Sequence, residues 1–372
     1  MDESTAQDKR LMRRALELAA QGTGRVSPGP LVGTVVVDER GEIAGEGFYL
    51  YDQVKHAETL ALEQAGARAR GGTAYVSLEP HAHQGRTSPC TELLINAGIK
   101  RVVAPIEDPN PKVSGRGFAR LRQAGIEVCT GGLDTEAKRL NEAYIHLMRS
   151  GRPFVHLKMA VSLDGKVATS NGDSRWITGE AARAQVHELR HQSDAIMIGG
   201  GTARADDPLL TDRSGKMRRR PLVRVVIEHY LGISPQSQLA QTTEAAPVII
   251  FACEEPEPDN VSALQSQGVE VVVQDSALDL NSVLEELGKR SIQTVLVEGG
   301  PSLAGLLIEA GLVNKVTFFV APIIIGGQDA PSAIGGSGAE KIADALQLEQ
   351  VEVRQYGRDI EVTGYPKNKD EG

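Results

Sequence analysis

Two short stretches carry residue types able to do zinc chemistry. In "KHAETLALEQ", Lys55 to Gln64, His56 and Glu58 stand two positions apart. In "LEPHAHQGRTSPC", Leu78 to Cys90, His81 follows Pro80, and eight residues separate it from Cys90. A hydrolytic zinc site takes three protein ligands and leaves one position for water, whose pKa the metal lowers toward about 7. Deamination also needs a carboxylate that moves protons between water, ring nitrogen and departing ammonia. A His–x–Glu at a helix start holds ligand and proton shuttle on one side of the metal. Followed by Pro–Cys–x–x–Cys, it is the pattern of the zinc deaminases. Here His81 stands where that pattern has a cysteine, and the loop to Cys90 is longer. His56, His81 and Cys90 are the candidate ligands and Glu58 the candidate shuttle, with His83 a rival ligand. Each alone has an ordinary reading: a surface His–Glu pair, or a small buried thiol. Their combination points to a metal.

A second chemistry is suggested by two strand–glycine–helix junctions, "AIMIGGGTARADDPLLT" (195–211) and "TVLVEGGPSLAGLL" (294–307). Glycines at a strand's C-terminal end let backbone N–H groups approach a phosphate, and the next helix N-terminus favours anions. Neither stretch is the G-x-G-x-x-G dinucleotide fingerprint, so tight turns in an α/β sheet compete with a nucleotide site.

The elements that must position these groups alternate along nearly the whole chain, which predicts α/β domains. The 372 residues suit two or three domains, and 41% hydrophobic content supports real cores. "RLMRRALELAAQ" reads as a helix and "LVGTVVVDERGEIAGEGFY" as a hairpin turning at Glu39–Arg40–Gly41. "CTELLINAG" reads as a helix stopped by Gly98. A break at "MRSGRPF", Met148 to Phe154, separates expected domains 1–149 and 150–372. "PEPDN" and "MRRRP" read as surface loops, and "VEVRQYGRDIEVTGYP" as a closing hairpin. His146, His156, His187, His191 and His229 read as solvated or core histidines, and Cys129 and Cys253 as structural. A net charge of −9 disfavours a nucleic-acid partner. No run reaches the length of a membrane span. The charged start of the chain reads as an amphipathic helix and not a signal peptide. Three cysteines make no disulfide framework, so a cytoplasmic location is expected.

"LEPHAHQGRTSPCTELLINAGIKRVV" and "DPNPKVSGRGFARLRQAGIEV" resemble the bifunctional deaminase–reductase family of riboflavin biosynthesis. So do "LKMAVSLDGKVA", "DSRWITG", "GGGTARADDPLLT" and "VEGGPSLAG" in the second half. The resemblance covers nearly the whole chain. It implies an N-terminal cytidine-deaminase-like α/β/α domain and a C-terminal dihydrofolate-reductase-like α/β domain. It implies Zn2+ on His56, His81 and Cys90, and Glu58 as proton donor. It implies NADPH contacts at Ala160, Trp176, Thr202, Asp206 and the run Gly300, Pro301, Ser302, Leu303, Ala304, Gly305 and Leu306. Substrate contacts are implied at Ser174, Arg190, Leu210, Arg213 and Glu298, with Arg190 and Arg213 able to clamp a phosphate. Lys158 and Asp206 are candidates for polarising the sugar, which opens before C1′ is reduced. A ring at Trp176 suits a nicotinamide neighbour; a half-buried core aromatic is the competing reading. A small phosphoribosyl pyrimidine substrate and a homo-oligomer are expected, with no membrane partner.

Three positions depart from the family. His81 replaces a cysteine, Gly29 in "SPGPLVG" replaces an asparagine expected to bond the substrate, and His229 stands at an expected serine. The rival reading keeps only the reductase, with the first domain retained for structure. A non-catalytic zinc module and a nucleic-acid deaminase are further rivals. Glu58 argues against the first of these, and the acidic charge against the second.

Overall fold

The computed structural model describes residues 5–84, 88–253, 256–274 and 279–367. The Gly85–Arg86–Thr87 part of the candidate zinc loop therefore lies outside the described residues. The chain divides into two compact units, Met1–Gly151 and Arg152–Gly372.

The first unit runs α1 (Ala6–Ala20), β1 (Gly33–Val37), β2 (Ile43–Phe48), α2 (Ala57–Ala65), β3 (Thr73–Val76), α3 (Cys90–Asn96), β4 (Arg101–Ala104), α4 (Arg116–Gln123), β5 (Glu127–Thr130), α5 (Asp134–Leu140) and α6 (Glu142–Ser150). Its sheet has the order β2-β1-β3-β4-β5. β1 pairs antiparallel with both neighbours, and the remaining pairs are parallel. Successive side chains of a strand point to opposite faces, and in "GTVVV" both faces are buried. Val35 and Val37 meet Leu11, Met12 and Ala15 of α1. Val36 meets Ala61 and Ala65 of α2 and joins Leu94 of α3 and Leu121 of α4. The result is an α/β/α sandwich. Gly45 and Gly47 on β2 bring α2 unusually close: a Cβ at either would collide with the Ala61 or Ala57 carbonyl. That approach seats the helix start that bears His56 and Glu58.

The second unit runs β6 (Phe154–Ser162), α7 (Glu180–Gln192), β7 (Ala195–Gly199), α8 (Gly200–Asp206), β8 (Val223–Glu228), α9 (Gln238–Gln241), β9 (Val248–Ala252), α10 (Pro258–Ser266), β10 (Glu270–Val273), α11 (Leu280–Lys289), β11 (Thr294–Val297), α12 (Pro301–Glu309), β12 (Lys315–Ala321), β13 (Leu348–Tyr356) and β14 (Asp359–Pro366). The nine strands lie in the order β10-β9-β8-β7-β11-β6-β12-β14-β13. They are parallel as far as β12 and antiparallel across the closing hairpin. Val155, Leu157, Met197 and Val297 face Leu284, Leu287, Leu303 and Leu307. Ile196, Ile198 and Val226 face Leu239 and Leu264, while Leu296 faces Val186 and Leu189 of α7. Helices thus cover both faces of the parallel part, as parallel sheets require.

Two loop expectations are corrected. "PEPDN" is not a loop throughout: α10 begins at Pro258, where the missing proline N–H costs a helix nothing. "MRRRP" is not solvated at Arg218. Its guanidinium donates to the carbonyls of Arg190, His191 and Ser193, satisfying the end of α7, and pairs with Asp212.

Candidate active sites

In the first unit, His56 is the N-cap of α2 and Glu58 sits in its first turn. Cys90 opens α3 and is fully buried. His81 lies on the stretch that leaves β3, and its carbonyl accepts the Thr91 N–H at 3.3 Å. Two helix starts and one strand end therefore deliver the three side chains. Their ligand atoms all lie within 4.8 Å of one another, with Cys90 Sγ 3.4 Å from His56 Nδ1. His83 is outside this trio: it is exposed, and its ring centroid is 5.0 Å from that of His81.

The electrostatics of the trio suit a cation. Burial, helped by the His56 and His83 imidazoles, pushes the His81 pKa down to about 4, so the ring is in the neutral form that ligates. Burial and the Glu58 carboxylate push the Cys90 thiol up, a penalty on the thiolate that a bound dication reverses. Among the described residues, Glu58 Oε2 is buried with no hydrogen-bond partner. Two imidazoles, a thiol and a buried carboxylate oxygen fit Zn2+ with one water.

Glu79 was not singled out by sequence. It is buried, and its carboxylate accepts the N–H groups of Asp108 (3.1 Å), Gly115 (2.9 Å), Gly117 (2.8 Å) and Phe118 (3.2 Å). An acid one residue before Pro80–His81, at the end of an apolar strand, was the available signal. Its partners lie 29 to 39 residues away in the chain.

In the second unit, β7 and β11 are parallel neighbours, with Met197 opposite Val297. Their C-terminal ends therefore deliver α8 and α12 side by side. Gly199 and Gly300 are the N-caps, and neither start has a side-chain cap. A Cβ on Gly300 would stand 3.1 Å from Thr202 Oγ1, so glycine keeps this cleft open. Uncapped N–H groups of two adjoining helix starts fit the diphosphate of a dinucleotide. The strand order also reverses here, where α/β sheets bind their ligands.

Lys158, Glu298 and Arg190 converge beside this cleft. Glu298 accepts two bonds from Arg190, Nε at 2.6 Å and Nη2 at 3.1 Å, and Lys158 Nζ is 3.4 Å from Oε2. Burial raises the Glu298 pKa, but the two cations more than offset that and hold it at about 2. Arg190 also donates to the Thr211 carbonyl at 2.9 Å. Arg213 is exposed, with Nε on Thr211 Oγ1. Asp206 ends α8 and is 3.9 Å from Arg175. Trp176 is 69% exposed with the Arg183 guanidinium 4.7 Å from its ring centroid, so it is not a core aromatic. Leu303, Ala304 and Gly305 are buried, and Ser302 and Leu306 are exposed. Leu210 is buried with φ of 51°, which leaves its backbone to make contacts. Ala160, Ser174, Thr202 and Pro301 are partly exposed.

Known proteins fit both units. Residues 5–105 match the cytidine and deoxycytidylate deaminase zinc-binding region, and residues 153–362 match the RibD C-terminal domain. The riboflavin biosynthesis protein RibD of Bacillus amyloliquefaciens is 42% identical over 97% of this chain and 97% of its own. The chain belongs to the RibD family. The RibD of Escherichia coli is 41% identical over 95% of this chain and 98% of its own. The solved Acinetobacter baumannii RibD aligns with a TM-score of 0.87 at 36% identity, covering 97% of this chain and 99% of its own. A Thermotoga maritima deaminase/reductase aligns at 0.86 and 37% identity over the same shares, 97% and 99%. As a RibD, the protein is a bifunctional deaminase and reductase of riboflavin biosynthesis that uses Zn2+ and NADPH. The reductase-only reading is not favoured. Among the described residues no helix is long and apolar enough to cross a membrane.

Proposed function

We propose that residues 1–149 hydrolyse the 2-amino group of 2,5-diamino-6-(5-phosphoribosylamino)pyrimidin-4(3H)-one. Residues 150–372 then reduce the ribosyl chain, giving 5-amino-6-(5-phosphoribitylamino)uracil. The observation that carries the reading is the buried, unpartnered Glu58 Oε2 beside the His56–His81–Cys90 trio. A purely structural metal site has no use for such a carboxylate.

His56, His81 and Cys90 hold the zinc, which when bound acidifies the attacking water. Glu58 Oε2 takes a proton from that water and returns it through the ring nitrogen to the amino group, which leaves as ammonia. Burial of Glu58 and Cys90 keeps bulk water from competing.

In the second site NADPH supplies the hydride. The starts of α8 and α12, with Thr202 and Ser302, would hold its diphosphate, and Trp176, Ala160 and Leu306 would bind its apolar parts. Lys158 delivers a proton to the sugar ring oxygen as the ring opens, with Asp206 assisting. Glu298 holds the Lys158 ammonium in place. Ser174, Arg213 and the Leu210 backbone contact the substrate, and Arg190 acts by anchoring Glu298. The protein works as a cytoplasmic homo-oligomer.

The test is zinc content and ammonia release measured on one sample, beside NADPH oxidation with the deaminated substrate. About one zinc per chain and Glu58-dependent ammonia are expected. A metal-free protein that releases no ammonia overturns the first assignment; unchanged reduction in Lys158, Asp206 and Glu298 variants overturns the second.

A further inference from the structure

Gly29 is built against the ring of Tyr49. A Cβ at position 29 would stand 3.1 Å from Tyr49 Cε1 and 3.8 Å from its hydroxyl oxygen. The same ring meets His56 edge-on, with centroids 5.2 Å apart and planes at 62°. Neither side can easily retreat. Tyr49 donates its N–H to the Val32 carbonyl at 2.9 Å, and Gly29 donates to Val26 at 2.8 Å. The buried Asn141 amide clasps the next turn of the loop through both groups of Leu31, at 2.8 and 3.0 Å. The phenol is half-buried and lies between the 27–31 loop and a zinc-binding imidazole.

We propose that Tyr49 is a specificity-determining residue of the deaminase site, contacting the aminopyrimidine, and that Gly29 is the space its ring requires. This rests on the deaminase reading above. A phenol offers an apolar ring and a hydroxyl that both donates and accepts. Those are the complements of a pyrimidine carrying adjacent carbonyl and amino groups. Residue 29 brings no side chain, so the polar contact on this wall comes from the hydroxyl. The two positions form one unit. A side chain at 29 presses on the ring and, also at 3.1 Å, on the Val26 carbonyl oxygen, so removing the ring relieves one of these two contacts.

The experiment compares Tyr49→Phe, Gly29→Asn, Tyr49→Ala and the Gly29→Asn/Tyr49→Ala double variant. Ammonia-release kinetics, zinc content and equilibrium binding of the deaminated product are measured for each. Tyr49→Phe is expected to raise KM and the product Kd about 3- to 10-fold, the loss of one neutral hydrogen bond, with zinc content unchanged. Gly29→Asn is expected to weaken product binding in the wild-type background and to cost at least about threefold less beside Tyr49→Ala. Product binding indifferent to Tyr49→Phe, or independent effects at the two positions, overturns the proposal. Failure of ammonia release in the zinc-loaded wild type is a separate result that overturns the deaminase reading itself.

Discussion

Glu79 Oε1 accepts the backbone N–H of Gly117 at 2.8 Å, which ties the ligand-bearing stretch after β3 to the start of α4. Among the described residues no cation pairs with this carboxylate. It is held by four amide donors, which is how a buried charge is kept without an ion pair. Glu79→Gln replaces one acceptor oxygen by a donor that faces N–H groups. We expect about 2–3 kcal/mol of lost stability and weaker zinc retention, read by denaturant unfolding and by metal content after dialysis. Unchanged zinc affinity would show that Glu79 supports α4 alone.

Glu58→Gln keeps the shape of the side chain and removes its basicity. Ammonia release is expected to fall about 10²- to 10⁴-fold while zinc content is retained, measured on the same preparation. Loss of zinc together with activity would make Glu58 a ligand instead of a shuttle.

Glu298→Gln leaves Lys158 and Arg190 facing a neutral amide in a largely buried place. Breaking a buried ion cluster from one side costs about 3–5 kcal/mol. NADPH oxidation is expected to be lost and the midpoint of the second unit's unfolding to drop, with ammonia release retained. A variant as stable as the parent would mean that the cluster is better solvated than its burial suggests.

His156 gives a pH dependence with a defined sign. Burial, and then the Lys315 charge, push its pKa down to about 3 from 6.5. The neutral ring bonds Thr317 Oγ1 at 2.8 Å, which in turn meets Thr363 Oγ1 at 2.7 Å. The folded form therefore binds fewer protons than the unfolded chain between these two values. Stability is full above the unfolded pKa and falls with decreasing pH, by up to about 1.4 kcal/mol per unit. The stability difference between wild type and His156→Gln, followed by urea unfolding from pH 7 to pH 4.5, is expected to move against the wild type as pH drops. A flat difference rules out a neutral buried His156.

What was legible early had local causes. Alternating elements are written in hydrophobic periodicity, so the α/β class follows from the chain itself, while the two family domains were implied by the resemblance of its motifs. His56 and Glu58 are two positions apart on one helix start, and glycines at 199–201 and 299–300 follow apolar strand runs. Even the unusual His81 could be matched as a ligand by its place after Pro80. The loop expected at 256–260 failed because proline reads alike in a turn and at the first position of a helix.

The remaining features depend on contacts between residues far apart in the chain. Arg218 looked solvated because nothing near it in sequence says that the end of α7 needs a donor. Nothing near Arg190 in sequence says that folding places Glu298, 108 residues later, against its fork. Sequence by itself determined the fold class and the family, and it singled out the three side chains that the fold gathers, His56, His81 and Cys90. Only the tertiary structure decided that Glu79 gathers four distant amides, that Glu298 meets the Arg190 fork, and that the Tyr49 ring occupies the space beside Gly29. A hydrogen-bond donor or a few cubic ångströms of free volume are supplied by whatever the fold brings near, and the sequence on either side of a residue does not record them.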